Sequence, residues 1–314
     1  MNSSWRKKFR WVSLPLALMA LVWTVWLLWD SWPQLQTNLY RLRVWWLLFT
    51  LAGNLIAGYL AFEAFHALFA KMRPSLYART RLAHLYFTGQ LMKHLPGRIW
   101  GVAYQSATGH QVTLAEWVSV TAIYMVLATV FALWAAAIAI GFMSGWPWGA
   151  LAVAAGLAIY VFGWSARLLD ALLGLMRRLP FRTLSRLCDA LRPFVGVGTE
   201  FKCRIWCWFM ASWLVYLLAW AGYGKAWPDL TAADGVWLGA IYTVAWFVGY
   251  ISLISPSGVG VRELVFVLLA HRFPPDAIAG MAVLGRVTLL AVDVILGAAF
   301  LPFRTTLDER HSTS

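Results

Sequence analysis

Leu95-Pro96-Gly97-Arg98 and Ser255-Pro256-Ser257-Gly258-Val259-Gly260-Val261-Arg262-Glu263 each interrupt an otherwise apolar segment near its middle. Proline removes a backbone donor and clashes with the preceding helical turn, so neither stretch continues a regular helix. In a bilayer, unwound backbone is tolerated only where protein or a water-filled cavity satisfies the freed amides. Paired breaks in corresponding halves of a chain therefore point to a buried polar site of the kind secondary transporters use.

The residues around the breaks read as membrane spans. Of 314 residues, 61% are hydrophobic and 12% charged, and the mean hydropathy is +0.67, which leaves too little polar surface for a soluble globular domain. Runs long enough to cross a bilayer, about 20 residues each, occupy Trp11 to Trp29, Val44 to Phe62, Trp117 to Met143, Trp146 to Ala166, Ile205 to Gly224 and Gly235 to Val261. Ala277 to Phe300 is another, although it carries Arg286 and Asp293. No connection is long enough for an independent soluble domain, so the expected organisation is one integral membrane domain over 1–314, with a short polar tail at 303–314.

Tryptophan and charge distribution supply the topology. Many of the 21 Trp residues, including Trp45, Trp46, Trp146, Trp148, Trp206 and Trp208, fall near expected span ends and read as interfacial anchors. The net charge of +13 is spread over short connections beside apolar runs, which is the positive-inside signature rather than a nucleic-acid surface. Lys71 to Arg81, Arg167 to Arg204 and the N-terminus, with Arg6, Lys7, Lys8 and Arg10, are thereby assigned to the cytoplasm. The first run is expected to remain as an uncleaved span, since it is longer than a signal-peptide core and lacks a small-residue cleavage site.

Parity then demands that one segment not cross. Three apolar segments, Leu82 to Tyr104, Trp117 to Met143 and Trp146 to Ala166, separate two cytoplasmic basic regions. The segment around Pro96, with Lys93, His94 and Arg98, is expected to enter and leave on one side. The same reading of Gly235 to His271 gives a second hairpin broken at Pro256 to Gly260. The expected fold is all-α: a polytopic bundle of six crossings plus two re-entrant hairpins, in inverted halves at about 11–143 and 146–302. The alternative is a plain eight-span bundle with proline kinks.

In the hairpin reading, Lys93, His94 and Arg98 approach Arg262 and Glu263, with Ser252, Ser255 and Ser257 nearby, and helices starting after Gly97 or Gly260 aim amide groups at the same place. That set suits a phosphate or another anionic headgroup. The alternative for Arg262 is a snorkelling cation paired with Glu263. Arg286 and Asp293 are two turns apart on one helix face, too far for a direct pair, so each is expected to meet another helix. Glu63 and His66 form either a proton relay or a structural bond near the cytoplasmic end. His84, His110 and His271 lie near segment ends, where solvated or interfacial roles are the default. Cys203 and Cys207 share a face without a second ligand pair and, like Cys188, read as apolar filler, so no metal or other cofactor is expected. Pro-Ser-Gly-Val-Gly lacks the strand context and spacing of a nucleotide loop, and no catalytic motif is present.

Gly89 to Trp100, Ser255 to Glu263 and Arg286 together resemble the lysylphosphatidylglycerol synthase transmembrane-region family, and the resemblance extends over essentially the whole chain. Gly258-Val259-Gly260-Val261-Arg262-Glu263 is its most specific part. The resemblance implies lipid handling in the bacterial cytoplasmic membrane. Two-domain members carry a soluble aminoacyl-transferase domain that this sequence does not contain, so no synthase or other enzymatic activity is expected. Arg98-Ile99-Trp100-Gly101 departs from a glycine-richer family form, which leaves room for a different substrate. The expected function is an ATP-independent, flippase-like transporter of a phospholipid or polyprenyl-phosphate-linked sugar. Lys93, Arg98, Arg262 and Arg286 would bind phosphate and Glu263 and Asp293 balance or gate it, while Pro96, Gly97, Pro256, Gly258 and Gly260 shape the breaks. A non-transporting scaffold for an envelope glycosyltransferase or lipid-synthesis enzyme is the alternative.

Overall fold

The computed structural model describes residues 42–92, 100–109, 111–163, 174, 194, 196–251, 261–273 and 275–304. The described chain is all-α. Its helices are α1 (Val44–Met72), α2 (Arg79–Met92), α3 (Trp100–Thr108), α4 (Leu114–Ser144), α5 (Trp146–Gly163), α6 (Thr199–Ala226), α7 (Ala232–Ile251), α8 (Val261–Leu269) and α9 (Pro275–Phe300), followed by a 3-10 turn at Leu301–Arg304. Five helical stretches, Val44–Met72, Leu114–Ser144, Thr199–Ala226, Ala232–Ile251 and Gly280–Phe303, are long and apolar enough to cross a membrane. The chain is a multi-pass helical bundle.

The most extensive packing among the described helices is between antiparallel α1 and α6. A side chain added at Gly53 would come within 2.7 Å of Ala219 Cβ, and one at Gly222 within 2.4 Å of the Phe49 ring. Small residues let the two backbones approach, which is how helices associate where hydrophobicity alone gives no preference. Ser212 Oγ donates to the Ala57 carbonyl at 2.9 Å midway along the contact. Arg43 N–H donates to the Ala226 carbonyl at one end, while Lys71 lies over the Phe201 ring at the other.

Polar contacts define two ends. At the basic end, Arg73 Nε donates to Glu116 Oε1 at 2.8 Å, joining the end of α1 to the start of α4. Thr113 and Glu116 form a reciprocal capping box there. At the far end, Thr231 Oγ1 and N–H bond to Asp234, whose other oxygen accepts from Arg272 at 2.9 Å. Gly145, with φ of +145°, turns α4 into α5 in a conformation that only glycine adopts readily. Exposed Trp45, Trp146 and Trp148 lie at this far end, as interfacial anchors should. Trp206 departs from that expectation: it is two turns inside α6 and packs against Phe131 and Trp134, with ring centroids 4.8 and 5.0 Å away.

Both interrupted segments double back. Gln105 Nε2 on α3 donates to the Leu85 carbonyl on α2 at 3.4 Å, and Gly101 stands against Gly89 with no room for a side chain between them. This first hairpin opens at the basic end. In the second, Asp234 faces Arg272 at the mouth and Tyr242 faces Phe266 further in, ring centroids 5.6 Å apart. It opens at the far end. At 1.5 Å per residue the described parts of the short arms, α3 and α8, span about 13 Å each. The long arm α7 reaches about 30 Å, so it has the length of a span although the chain returns beside it.

The packing pattern survives exchange of the halves. α9 lies against α2 of the first hairpin, α4 lies against α7 of the second, and each short arm contacts the span that follows it. Opposed hairpin mouths and exchanged partners are the geometry of an inverted repeat. The tips, with Lys93, Pro96, Gly97, Arg98, Pro256, Gly258 and Gly260, lie outside the described residues, as do the N-terminal run and most of the connection at 164–193.

Two measurements check this fold. In a background lacking Cys188, Cys203 and Cys207, single cysteines at Ser75 and Thr108 should label from one side of the membrane. Those at Ser144, Asp229 and His271 should label from the other, and a split between Asp229 and His271 would exclude the second hairpin. Gly53→Val should lower stability in thermal unfolding by about 1–3 kcal/mol, because it overpacks the α1 and α6 contact.

Candidate functional site

Halfway along the bundle, where Ala57 of α1 meets Ser212 of α6, a cavity of about 230 Å³ opens between α1, α6, α7, α8 and α9. Asn54, Gly58 and Ala61 line it from α1, and Ser212, Trp213 and Tyr216 from α6. Ala57 and Ser212, Gly58 and Trp213, and Ala61 and Tyr216 hold matching positions counted from the starts of their helices. The cavity therefore sits where the two halves of the fold meet.

Its charges among the described residues come from the second half. Arg262, the second residue of α8, and Arg286 and Asp293 of α9 all line it. The expectation that Arg286 and Asp293 each turn toward another helix resolves into one shared space bounded by four further helices. Two guanidinium groups and one carboxylate in a low-dielectric interior are costly unless paired or engaged with a ligand. Arg262 also stacks over Tyr242, its guanidinium carbon 5.3 Å from the ring centroid. Lys93 and Arg98 lie outside the described residues, and so does the side chain of Glu263.

Several lining groups were not legible as site residues in the sequence. Asn54 is an isolated amide in an apolar run, which was the available signal; its Nδ2 donates to the Thr50 carbonyl at 2.8 Å and is only 4% exposed. Tyr216 is held by the second hairpin: Thr243 Oγ1 donates to its hydroxyl at 3.3 Å, and that hydroxyl donates to the Gly239 carbonyl at 3.4 Å. Trp246 completes an aromatic wall with Trp213 and Tyr216.

The corresponding region of the first half is filled. Phe209 matches Asn54 in helix position, while Met125 and Ala132 of α4 match Arg286 and Asp293 of α9. Phe209 stacks on Phe131 at 4.9 Å and lies 5.7 Å from Tyr124, in a cluster that also holds Phe65 and Tyr86. One side of the repeat is a polar cavity, and its counterpart is aromatic core.

Two other sequence expectations resolve as structural ties. Glu63, buried on α1, accepts from Arg79 Nε at 3.0 Å, and His66 Nδ1 stands 3.7 Å from its other oxygen. That arrangement fastens α1 to the start of α2 and favours the structural bond over a proton relay. His84 corrects the expectation of a solvated or interfacial histidine, because it is fully buried. Its Nδ1 lies 3.1 Å from the Phe300 carbonyl and its Nε2 3.0 Å from the Tyr104 hydroxyl. A carbonyl only accepts, so Nδ1 donates to it. The bond joins both arms of the first hairpin to the end of α9. His271 is exposed as expected, and His110 lies outside the described residues. Among the described residues no cluster of His, Cys, Asp and Glu has the makings of a metal site.

Arg79→Ala should destabilise the protein by about 1–3 kcal/mol, since it strands the buried Glu63 carboxylate. Adding Glu63→Gln should recover part of that loss in a double-mutant thermal-unfolding cycle.

No family model matches this chain, and neither a curated protein nor a solved structure matches it.

Proposed function

We propose that this protein is an ATP-independent, flippase-like lipid transporter whose cavity receives an anionic headgroup at mid-bilayer, in the bacterial cytoplasmic membrane. The observation that carries the reading is the convergence of Arg262, Arg286 and Asp293 on one cavity halfway along the bundle. Ionisable groups at that depth mark substrate pathways far more often than they serve stability. Arginine supplies planar, bidentate donors suited to phosphate oxygens. A helix start just after Gly260, as the sequence reads it, would aim free amides and a positive dipole end at the same place.

Hairpins opening at opposite ends support alternating access, since each half offers a movable broken element toward one side. The basic end, with Lys71, Arg73, Arg79, Arg81, Lys202 and Arg204, is the cytoplasmic end in this reading, which places the N-terminus there too. The resemblance of the two broken motifs to the lysylphosphatidylglycerol synthase transmembrane-region family points the same way. Lys93, Arg98 and Glu263 join the path at the hairpin tips in this proposal. A phospholipid and a polyprenyl-phosphate-linked sugar are the two substrate classes it embraces.

Proteoliposomes carrying the purified protein should move labelled anionic lipid between leaflets without ATP. Arg262→Ala and Arg286→Ala should each slow that movement by about tenfold or more, the equivalent of about 1.4 kcal/mol of lost headgroup stabilisation. Movement unaffected by either change, or none with any lipid from folded protein, would sink the proposal and favour a scaffold for an envelope glycosyltransferase or lipid-synthesis enzyme.

A further inference from the structure

The two hairpins are fastened in different ways. In the first, buried groups tie α2 on three sides. Glu63 of α1 accepts from Arg79 at 3.0 Å, His84 meets the Phe300 carbonyl of α9 at 3.1 Å, and the Tyr86 hydroxyl meets that of Tyr124 on α4 at 2.6 Å. Gly101 of α3 then closes on the Gly89 backbone. Parting these groups would strand polar atoms away from water, which is costly.

The second hairpin divides between its arms. The long arm α7 belongs to α6: the backbones at Gly224 and Gly235 leave no room for a side chain, and Thr243 donates to the Tyr216 hydroxyl at 3.3 Å. The contacts that hold the short arm α8 to α7 are of another kind. Phe266 meets Tyr242 edge to face at 5.6 Å, and at the mouth Arg272, in the turn after α8, donates to Asp234 at 2.9 Å. Arg272 is exposed and Asp234 half-buried. An ion pair in contact with water contributes little and opens readily, and an aromatic edge contact parts without stranding a hydrogen bond.

These contacts lie between the far end and the cavity. From Asp234 at the mouth to Trp246 in the cavity wall, α7 rises about 18 Å. Tyr242 sits within that length, packed against Trp220 at 5.0 Å and Phe266 at 5.6 Å. The guanidinium of Arg262, which lines the cavity, lies 5.3 Å from the same ring. Movement of α8 away from α7 would therefore part Phe266 from Tyr242 and shift one wall of the cavity with it.

We infer that α8 is a gate between the cavity and the far side of the membrane, and that Arg272 and Asp234 form its latch. α7 stays with α6 and the first hairpin stays closed, so the cavity opens more readily to the far side than to the basic side. The inference rests on the proposed function only in taking the cavity as the place a ligand must reach.

Thiol access to the cavity tests this in the full chain, in membrane vesicles of either orientation. The background lacks Cys188, Cys203 and Cys207, and Ser212→Cys places one thiol in the cavity wall. The probe is a membrane-impermeant methanethiosulfonate, and the far side is the one from which a cysteine at Asp229 labels. The introduced thiol should react faster from the far side than from the basic side. Asp234→Asn and Arg272→Gln should each raise the far-side rate by about threefold or more and leave the basic-side rate unchanged. Arg73→Gln, which breaks the surface pair with Glu116 at the basic end, should change neither rate. Faster reaction from the basic side in the parent would overturn the inference, as would equal gains from both sides or no gain in folded Asp234→Asn and Arg272→Gln. If neither variant folds, the parent rates decide alone. Far-side gains without lipid movement would refute transport and leave the gate standing, while Arg262-dependent lipid movement with unchanged far-side rates would do the reverse.

Discussion

The close antiparallel contact of α1 and α6 is the constraint on which the rest of the bundle depends. Gly53 receives the Ala219 methyl and Gly222 the Phe49 ring, so two long helices close on one another. Lipid tails are as apolar as leucine, so this packing must come from shape and short polar bonds rather than from exclusion of water. Ser212 supplies such a bond to Ala57 at the centre. Once that pair is fixed, the hairpins flank it from opposite ends and the spans α4 and α9 cover the hairpin arms of the opposite half.

The hairpins follow from the need to satisfy backbone at membrane depth. A broken helix in lipid leaves amides and carbonyls exposed, and a neighbouring arm can shield them. In the first hairpin the arms touch backbone to backbone at Gly89 and Gly101, and buried His84 and Gln105 tie them further. In the second, an ion pair closes the mouth and aromatic contact fills the middle. The short arm then delivers Arg262 to the cavity. Polar closure at the mouth and apolar packing within frame this half-buried cation.

The halves share a plan and differ in filling. Asn54 occupies in α1 the place that Phe209 takes in α6, and Arg286 and Asp293 of α9 answer to Met125 and Ala132 of α4. The stacked Phe131 and Phe209 pair makes the first half a packed wall. A polar cavity beside an aromatic core is a sensible division of labour, because charge withdrawn from water is costly and large aromatic contacts offset it.

The sequence alone determined the membrane class and the helical fold and marked two interrupted segments, while the return of each on itself stood beside a plain eight-span bundle until the packing of α2 on α3 and of α7 on α8 decided it. These are local properties: hydropathy marks spans and proline and glycine mark breaks, whereas charge parity bears on the first hairpin alone. It also marked Arg262, Arg286 and Asp293, because ionisable residues in apolar runs are conspicuous. Only the tertiary structure decided that these three line one cavity, that Asn54, Ser212 and Tyr216 line it with them, and that His84 and Trp206 are packing residues. Those facts depend on which faces of distant helices meet, and neither hydropathy nor spacing carries that information. Residues at the same helix position in the two halves, such as Asn54 and Phe209, acquire opposite roles through their neighbours, and neighbours exist only after the chain has folded.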